Sequence, residues 1–419
     1  MTATVSPIHA CRSCGSARLH EVIDLGLQPL ANNLLRPGDV SRAEPAFPLA
    51  LRVCRDCGLM QISHTVPPVD LFSDYVYFSS FSDEMLRHAR AAADQHTAAK
   101  GLGPDSFVVE IASNDGYLLK NFLRAGIPCL GFEPAANVAE TASAAGIETR
   151  VEFFGRHTAS VLAAERRRAD LILGNNVFAH APDPNDFVAG LAELLADDGW
   201  AVLEFPYGVD FLEKLEFDTI YHEHVFYYTL TPLLPLFARH GLEVFRVERI
   251  PIHGGSLRLH AARPGVGPAD GSVEALRDRE IAGGILDLAV YDAFRAGADR
   301  VKADLSAFLD QAGRDGKRVA AYGASAKGST LLNYVGDPAR RIEFIADRSP
   351  HKHGKLSPGL HLPIVPADEL AARRPDYAVL LVWNFAREVM AQQSGYTASG
   401  GRFVVPLPRL TVAPGPDAL

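Results

Sequence analysis

Four cysteines fall into two C-x-x-C pairs, Cys11/Cys14 in HACRSCGS and Cys54/Cys57 in LRVCRDCGL, each followed by a glycine that lets backbone amides turn toward thiolate sulfurs. Four thiolates at this spacing suit a tetrahedral structural zinc ion, with no coordination position left open for chemistry. The 39 residues between the pairs, 15 to 53, exceed the span of a ribbon or finger, so a small subdomain with LGLQPLANNLL as its core must fold between them. A redox pair of the thioredoxin kind would follow a buried strand and occur once. Cys129, alone in the apolar run IPCLGFE, reads as an inert core residue.

The densest titratable cluster is FDTIYHEHVFYYT, in which Tyr221, His222, Glu223 and His224 sit among aromatic side chains. Partial desolvation of adjacent ionisable groups tunes them for proton transfer, whereas a plain surface turn would not surround them with Phe and Tyr. His180 in NNVFAHAPD follows a strand-like segment, and Tyr75 in DYVYFSS is placed to fold over the site as a lid. A third group lies at a strand-to-helix turn, VVEIASNDGYLL, with Glu110 near the strand end and Ala112, Asn114, Asp115 and Gly116 in the loop. A dinucleotide site would want G-x-G-x-x-G so that bare backbone can approach a pyrophosphate. Polar side chains with a single glycine suit a ligand without phosphates. Phe132 and Glu133 in GFEP then place an acid at the end of the second strand, where it can accept ribose hydroxyls, and Asn175 and Asn176 end the fourth. This order of strand, acidic turn, helix, strand and acid points to S-adenosylmethionine, whose sulfonium is cationic.

A fourth group is basic. YGASAKGSTLLNY offers a small-residue turn before a helix, with Ser325 and Lys327, and ADRSPHKHGK adds Arg348, Lys352, His353 and Lys355 after the next strand. Two such loops at successive strand ends suit a diphosphate.

These groups need scaffolds. From about residue 105, short apolar runs (FVVEI, PCLGF, ADLILGN, GWAVLEFP) alternate with helical segments, the pattern of a parallel sheet covered on both faces. LEVFRVERIP and GSLRLHAAR, joined by IHGG, close it as an antiparallel pair. Residues 271–312 read as one or two connecting helices, and strand-helix alternation restarts at KRVAAYG. The expected fold is α/β: a zinc-binding domain over 1–68, a Rossmann-like methyltransferase domain over 69–264, connecting helices over 265–314 and a smaller Rossmann-like α/β domain over 315–419.

Composition agrees with a folded, multidomain chain: 419 residues, 47% hydrophobic and 22% charged. A net charge of −9 gives no global attraction to nucleic acid or anionic lipid. No apolar stretch reaches spanning length and no secretory leader is evident, so a cytoplasmic location is expected, with neither nucleic acid nor membrane as partner.

Taken together, C-x-x-C at 11 and 54, YVYFSS at 75, EIASNDGYLL at 110, GFEP at 131, NNVFAH at 175, YHEH at 221, HGGSLR at 253 and YGASAKGSTLLNY at 322 resemble the zinc-containing, S-adenosylmethionine-dependent sugar C-methyltransferases. Those enzymes place a methyl branch, commonly at C-3, on nucleotide-linked deoxysugars in natural-product pathways, antibiotic biosynthesis among them. The resemblance spans nearly the whole chain. It implies that His224 is the base, that Tyr221, Glu223, His180 and Tyr75 line the active site, and that the N-terminal and C-terminal parts shape a sugar-nucleotide site over the central cofactor domain, the last domain binding the sugar nucleotide. The implied substrate is a dTDP-linked 4-keto deoxysugar, and the expected assembly is a monomer or weak homodimer. Where the family more often has Asn this chain has Ser329, and no contact is carried to it. By this reading His224 removes the C-3 proton, Tyr221 or a second histidine stabilises the enolate oxygen, Glu223 orients the imidazole, and the carbanion attacks the sulfonium methyl. The competing readings are a sugar O-methyltransferase and a non-catalytic nucleotide-sugar or zinc adaptor.

Overall fold

A computed structural model describes residues 5–41, 43–72 and 78–418; Tyr75 lies outside the described residues. Three sheets organise the chain. The N-terminal sheet contains β1 (Leu19–Pro29), β2 (Ala46–Cys54) and β3 (Met60–Ile62), all antiparallel. Its outer strand, Phe226–Tyr227, comes from far along the chain and pairs with Gln61 and Met60.

The central sheet contains β4 (Val108–Ile111), β5 (Cys129–Phe132), β6 (Glu148–Arg150), β7 (Ala169–Asn175), β8 (Leu195–Pro206), β9 (Glu243–Ile250) and β10 (Ser256–Ala262). Their order is β9-β10-β8-β7-β4-β5-β6, with β10 antiparallel to both neighbours and β4 to β8 parallel. The expected closing hairpin is therefore present, and its second strand inserts next to β8. Every residue of β4 is buried, as a strand covered on both faces requires. Helix α1 (Asp83–Lys100) covers one face: the Ser82 hydroxyl caps it by accepting from the Met85 amide, and Gly101 ends it in the left-handed conformation.

Helices α2 (Ser272–Ala282) and α3 (Leu288–Arg314) form the connection. Buried Glu280 of α2 accepts from the Leu230 and Thr231 amides at 2.6 and 2.7 Å and from the Tyr207 hydroxyl at 2.7 Å. A carboxylate on another helix thus caps the helix Leu230–Arg239, which follows the YHEH segment.

The C-terminal sheet contains β11 (Val319–Tyr322), β12 (Ile342–Asp347), β13 (Ile364–Pro366), β14 (Tyr377–Leu380), β15 (Arg402–Val405) and β16 (Thr411–Ala413), in the order β13-β12-β11-β14-β15-β16. All pairs are parallel except β15 with β16. Strand order reverses at β11, so the ligand crevice of such a sheet lies beyond β11 and β14. Among the described residues, no helix is long and apolar enough to cross a membrane.

Candidate active site

The four cysteines converge. Cys11 and Cys57 sulfurs lie 3.7 Å apart, Cys14 and Cys54 sulfurs 3.6 Å, and all four fall within 4.8 Å of one another. A tetrahedron with zinc–sulfur bonds of about 2.3 Å has edges of about 3.8 Å, so the donor set fits structural zinc. Gly15 and Gly58 take φ of +77° and +79° and close each knuckle, their own amides donating to the Cys11 and Cys54 carbonyls rather than to sulfur. Cys129 is partly buried, and burial pushes its thiol up to about 11, so it stays protonated.

At the end of β4 the backbone is more unusual than its residues announce. Ala112, Asn114 and Gly116 all take positive φ, 53°, 51° and 77°. The loop therefore has the shape of a three-glycine turn, with Ala and Asn held in a conformation that costs them of order 1 kcal/mol or more. Glu133 holds it in place: its carboxyl accepts from the Asn114 amide at 3.0 Å and the Ala135 amide at 2.9 Å. Burial still pushes that carboxyl above its ordinary value, against the pull of both amides. Glu110 is fully buried, and neither of its oxygens has a hydrogen-bond partner; Asp115 Oδ1 and the Ser113 hydroxyl are also unpartnered. Burial and the neighbouring Glu133 and Asp115 drive the Glu110 carboxyl well up. A cation with hydroxyl and amino donors would relieve this crowding, which is the chemistry of S-adenosylmethionine. The Ser79 and Ser80 amides donate to the Asn114 and Asp115 side chains at 2.8 and 3.1 Å, so the 79–80 turn lies on this loop. Phe132 packs in the core at the end of β5. The Asn176 amide donates to the Glu204 carbonyl, and the Glu204 carboxylate is held by His88 at 2.7 Å and Arg258 at 2.6 Å, fixing the turn after Asn175.

The YHEH segment forms the second half of the site. The His224 Nδ1 lies 3.2 Å from the Thr219 carbonyl, and the Tyr221 hydroxyl lies 2.9 Å from Nε2. A carbonyl only accepts, so Nδ1 carries a proton, and in the neutral ring Nε2 holds the lone pair. The His180 ring centroid is 5.0 Å from that of His224. His180 Nδ1–H donates to the Glu223 carbonyl at 2.6 Å, and burial holds the imidazole below its usual range. His180 Nε2 is then an acceptor in the neutral ring, so of the two expected enolate-oxygen donors Tyr221 is the better placed.

Glu223 differs from expectation too. Its carboxyl receives the Asn32 side-chain amide at 2.7 Å, and the Thr219 carbonyl is what sets the His224 tautomer. Burial pushes Glu223 up to about 7. His222 is buried against Phe47, and burial holds it near 4, so it is neutral packing. Asn32 lies in the run LGLQPLANNLL, where the polar pair Asn32-Asn33 interrupts the apolar residues and is the only local signal of its role.

The basic loops are more occupied than their composition suggests. Asp347, at the end of β12, accepts from the Ala324 amide at 2.7 Å and the Ser349 amide at 2.8 Å, so the protein's own carboxylate faces the turn after β11. Lys352 reaches the Ala324 carbonyl at 2.8 Å and Asp347 at 3.6 Å, and His353 Nε2 lies 2.8 Å from the Asp347 carbonyl. Ser325 caps helix α4 (Ala326–Val335) through the Gly328 amide. Lys327 is turned to Asn384 and lies 5.0 Å over the Trp383 ring; burial lowers its ammonium. Arg348 is exposed and Lys355 half-buried. Gly323-Ala324-Ser325-Ala326-Lys327-Gly328 departs from G-x-G-x-x-G at one position and is followed by Asp347, a fingerprint that the sequence reading overlooked. A Cβ on Gly328 would sit 2.7 Å from the Cβ of Leu381, the residue after β14, so the helix start approaches the end of that strand too closely for a side chain.

Three family profiles match the chain: a zinc binding domain over residues 11–72, a methyltransferase domain over 85–247 and a C-methyltransferase C-terminal domain over 251–408. The C-methyltransferase NovU of Streptomyces niveus is 38% identical over 412 residues, covering 97% of each chain. Among solved structures, the magnesium protoporphyrin IX methyltransferase of Synechocystis PCC 6803 covers 42% of this chain and 83% of its own, at 13% identity and a TM-score of 0.34. An S-adenosylmethionine-dependent methyltransferase of Clostridium acetobutylicum covers 43% and 92%, at 10% identity and a TM-score of 0.35. With a full-length relative, a four-thiolate zinc site and an acidic cofactor loop, the chain belongs to the zinc-containing, S-adenosylmethionine-dependent C-methyltransferases.

Proposed function

We propose that the carbon methylated is C-3 of a nucleotide-linked 4-keto deoxysugar, dTDP-linked by resemblance, and that His224 is the base that makes it nucleophilic. The observation that carries this reading is the His224 imidazole held between the Thr219 carbonyl at Nδ1 and the Tyr221 hydroxyl at Nε2, which in the neutral ring leaves the lone pair on Nε2. Methylation of carbon needs a carbanion, and a neighbouring ketone supplies one by making the adjacent proton acidic. Nε2 of His224 takes the C-3 proton, and the Tyr221 hydroxyl turns from Nε2 to the developing C-4 oxygenate. Bound S-adenosylmethionine supplies the electrophilic methyl. Glu133 accepts from the cofactor ribose through its remaining lone pairs, and Glu110, Asp115, Asn175 and Asn176 line the rest of the cleft. Neutral His180 accepts from a sugar hydroxyl and cannot protonate the enolate.

The crevice beyond β11 and β14 takes the nucleotide half. Support comes from the strand-order reversal there, the near-complete glycine fingerprint and the surrounding Ser325, Lys327, Arg348, Lys352, His353 and Lys355. Asp347 occupies the position from which an acid accepts ribose hydroxyls.

The test follows hydrogen exchange. A 4-keto nucleotide sugar deuterated at C-3 should lose label to water on the protein, with or without cofactor. His224→Ala should slow both exchange and methylation by about 10²–10⁴-fold, the usual contribution of a general base, with zinc content and cofactor affinity near wild type. Exchange at the wild-type rate in that variant would move the base elsewhere, and methylation of a sugar lacking a ketone would favour O-methylation.

A further inference from the structure

The turn that carries the base is tied to the C-terminal domain by a buried contact. Trp383, in the loop after β14, donates its indole Nε1–H to Asp218 Oδ2 at 2.7 Å. Asp218 is fully buried and directly precedes Thr219, whose carbonyl accepts the Nδ1–H of His224. The same carbonyl accepts the Tyr227 hydroxyl at 2.8 Å, and Thr330 of α4 donates to the Ile220 carbonyl at 3.1 Å. Two side chains of the C-terminal domain therefore hold residues 218–220 from one side while Tyr227 holds them from the other. Beneath the indole ring lies the Lys327 ammonium, in the first turn of α4 at the mouth of the nucleotide crevice.

We propose that Trp383 and Asp218 are positioning residues for His224: the indole–carboxylate bond fixes the Thr219 carbonyl, and that carbonyl keeps the base in the tautomer with its lone pair on Nε2. The inference rests on the reading of His224 as base. If Thr219 is free to rotate, its carbonyl leaves Nδ1, the proton distributes between the two nitrogens, and a fraction of molecules presents N–H where the reaction needs a lone pair. Because Trp383 also borders the crevice for the nucleotide, one ring lies between the part of the substrate that binds and the group that reacts. Asp218 makes the bond costly to lose. Its other oxygen, Oδ1, is buried without a hydrogen-bond partner, so loss of the indole donor would leave the buried carboxyl short of a second one.

Trp383→Phe keeps an aromatic face under Lys327 and removes only the donor. It should lower kcat tenfold or more with KM for the nucleotide sugar, zinc content and cofactor affinity near wild type. Asp218→Ala should match it, the double variant should be no worse than either single one, and Asp218→Asn, which still accepts from the indole, should recover most of the turnover. Nitrogen-15 spectra of histidine-labelled protein without substrate read the tautomer directly. His224 should pass from a single Nδ1–H form in the wild type to a mixture in Trp383→Phe. An unchanged tautomer in Trp383→Phe overturns the proposal, as does a loss carried by KM alone. Failure of the wild type to methylate any 4-keto sugar would instead overturn the substrate assignment, and the tautomer measurement would still decide this one.

Discussion

At the scale of single residues, the site is built from groups that burial keeps neutral. Glu223 is the clearest case, with its carboxyl pushed up to about 7 by burial and opposed only by the Asn32 amide. A carboxyl whose folded value lies above its unfolded value of about 4.3 contributes stability fully below the unfolded value and loses it as pH rises through the folded one. Stability should therefore decline between about pH 4.5 and 7, with Glu216, raised to about 7, and Asp218, raised to about 6, acting in the same sense. Glu223→Gln keeps an acceptor for Asn32 and cannot ionise. Denaturant melts across this range should show the decline reduced by on the order of 3 kcal/mol, and an identical decline would mean that Glu223 is already solvated. The same neutrality explains why His180 and His222 sit beside His224 without competing to be charged.

At the scale of elements, the loop after β4 shows what a sequence pattern can hide. Its glycine positions are filled by Ala112 and Asn114, yet the backbone follows a left-handed path at both, pinned by Glu133 from below and by the 79–80 turn from above. Relieving one strained position should stabilise the fold: Ala112→Gly is expected to raise unfolding free energy by about 1 kcal/mol, measurable as a higher denaturant midpoint with unchanged slope. A lower midpoint would show that Ala112 is relaxed and that its methyl packing matters more. Reading the residues alone suggested a loop with one glycine, because side-chain identity reports backbone conformation only when the preferred residue is used. The alternation of strands and helices was legible for the opposite reason. Buried runs such as VVEI and ADLILGN must alternate with amphipathic helices wherever a parallel sheet is covered on both faces, and the closing hairpin followed from IHGG between two strand-like runs. The zinc ligands were legible because thiolates at that spacing have few other uses.

At the scale of the whole molecule, the contacts that complete the site come from distant parts of the chain, and these were not legible. Asn32 reaches Glu223 across 191 residues of sequence, and Trp383 reaches Asp218 across 165. No local periodicity records which loops will meet. The zinc domain meets the candidate site twice, through Asn32 and through its sheet: β3, which begins three residues after Cys57, pairs with Phe226–Tyr227, and the Ile62 amide donates to the Val225 carbonyl at 3.0 Å. Removing zinc with a strong chelator, or substituting Cys54→Ser, should loosen that sheet and abolish C-3 exchange while cofactor titration changes little. Elemental analysis alongside the exchange assay checks it, and full activity in zinc-free protein would uncouple the two.

The strand Phe226–Tyr227 has a consequence for how such enzymes diverge. The stretch from Glu216 to Tyr228 is bonded at one end to the C-terminal domain and at the other is a strand of the N-terminal sheet, so it belongs to no single domain. Recombination between relatives at domain borders would then pair this stretch with surfaces it did not evolve beside. Chimeras that move residues 216–228 together with Asn32, β3, Trp383 and Thr330 should fold and turn over, whereas those that exchange a whole domain and leave the stretch behind should lose the base's alignment first. The unit to transplant in this scaffold is therefore a spatial block assembled from separate stretches of chain, and not one contiguous segment.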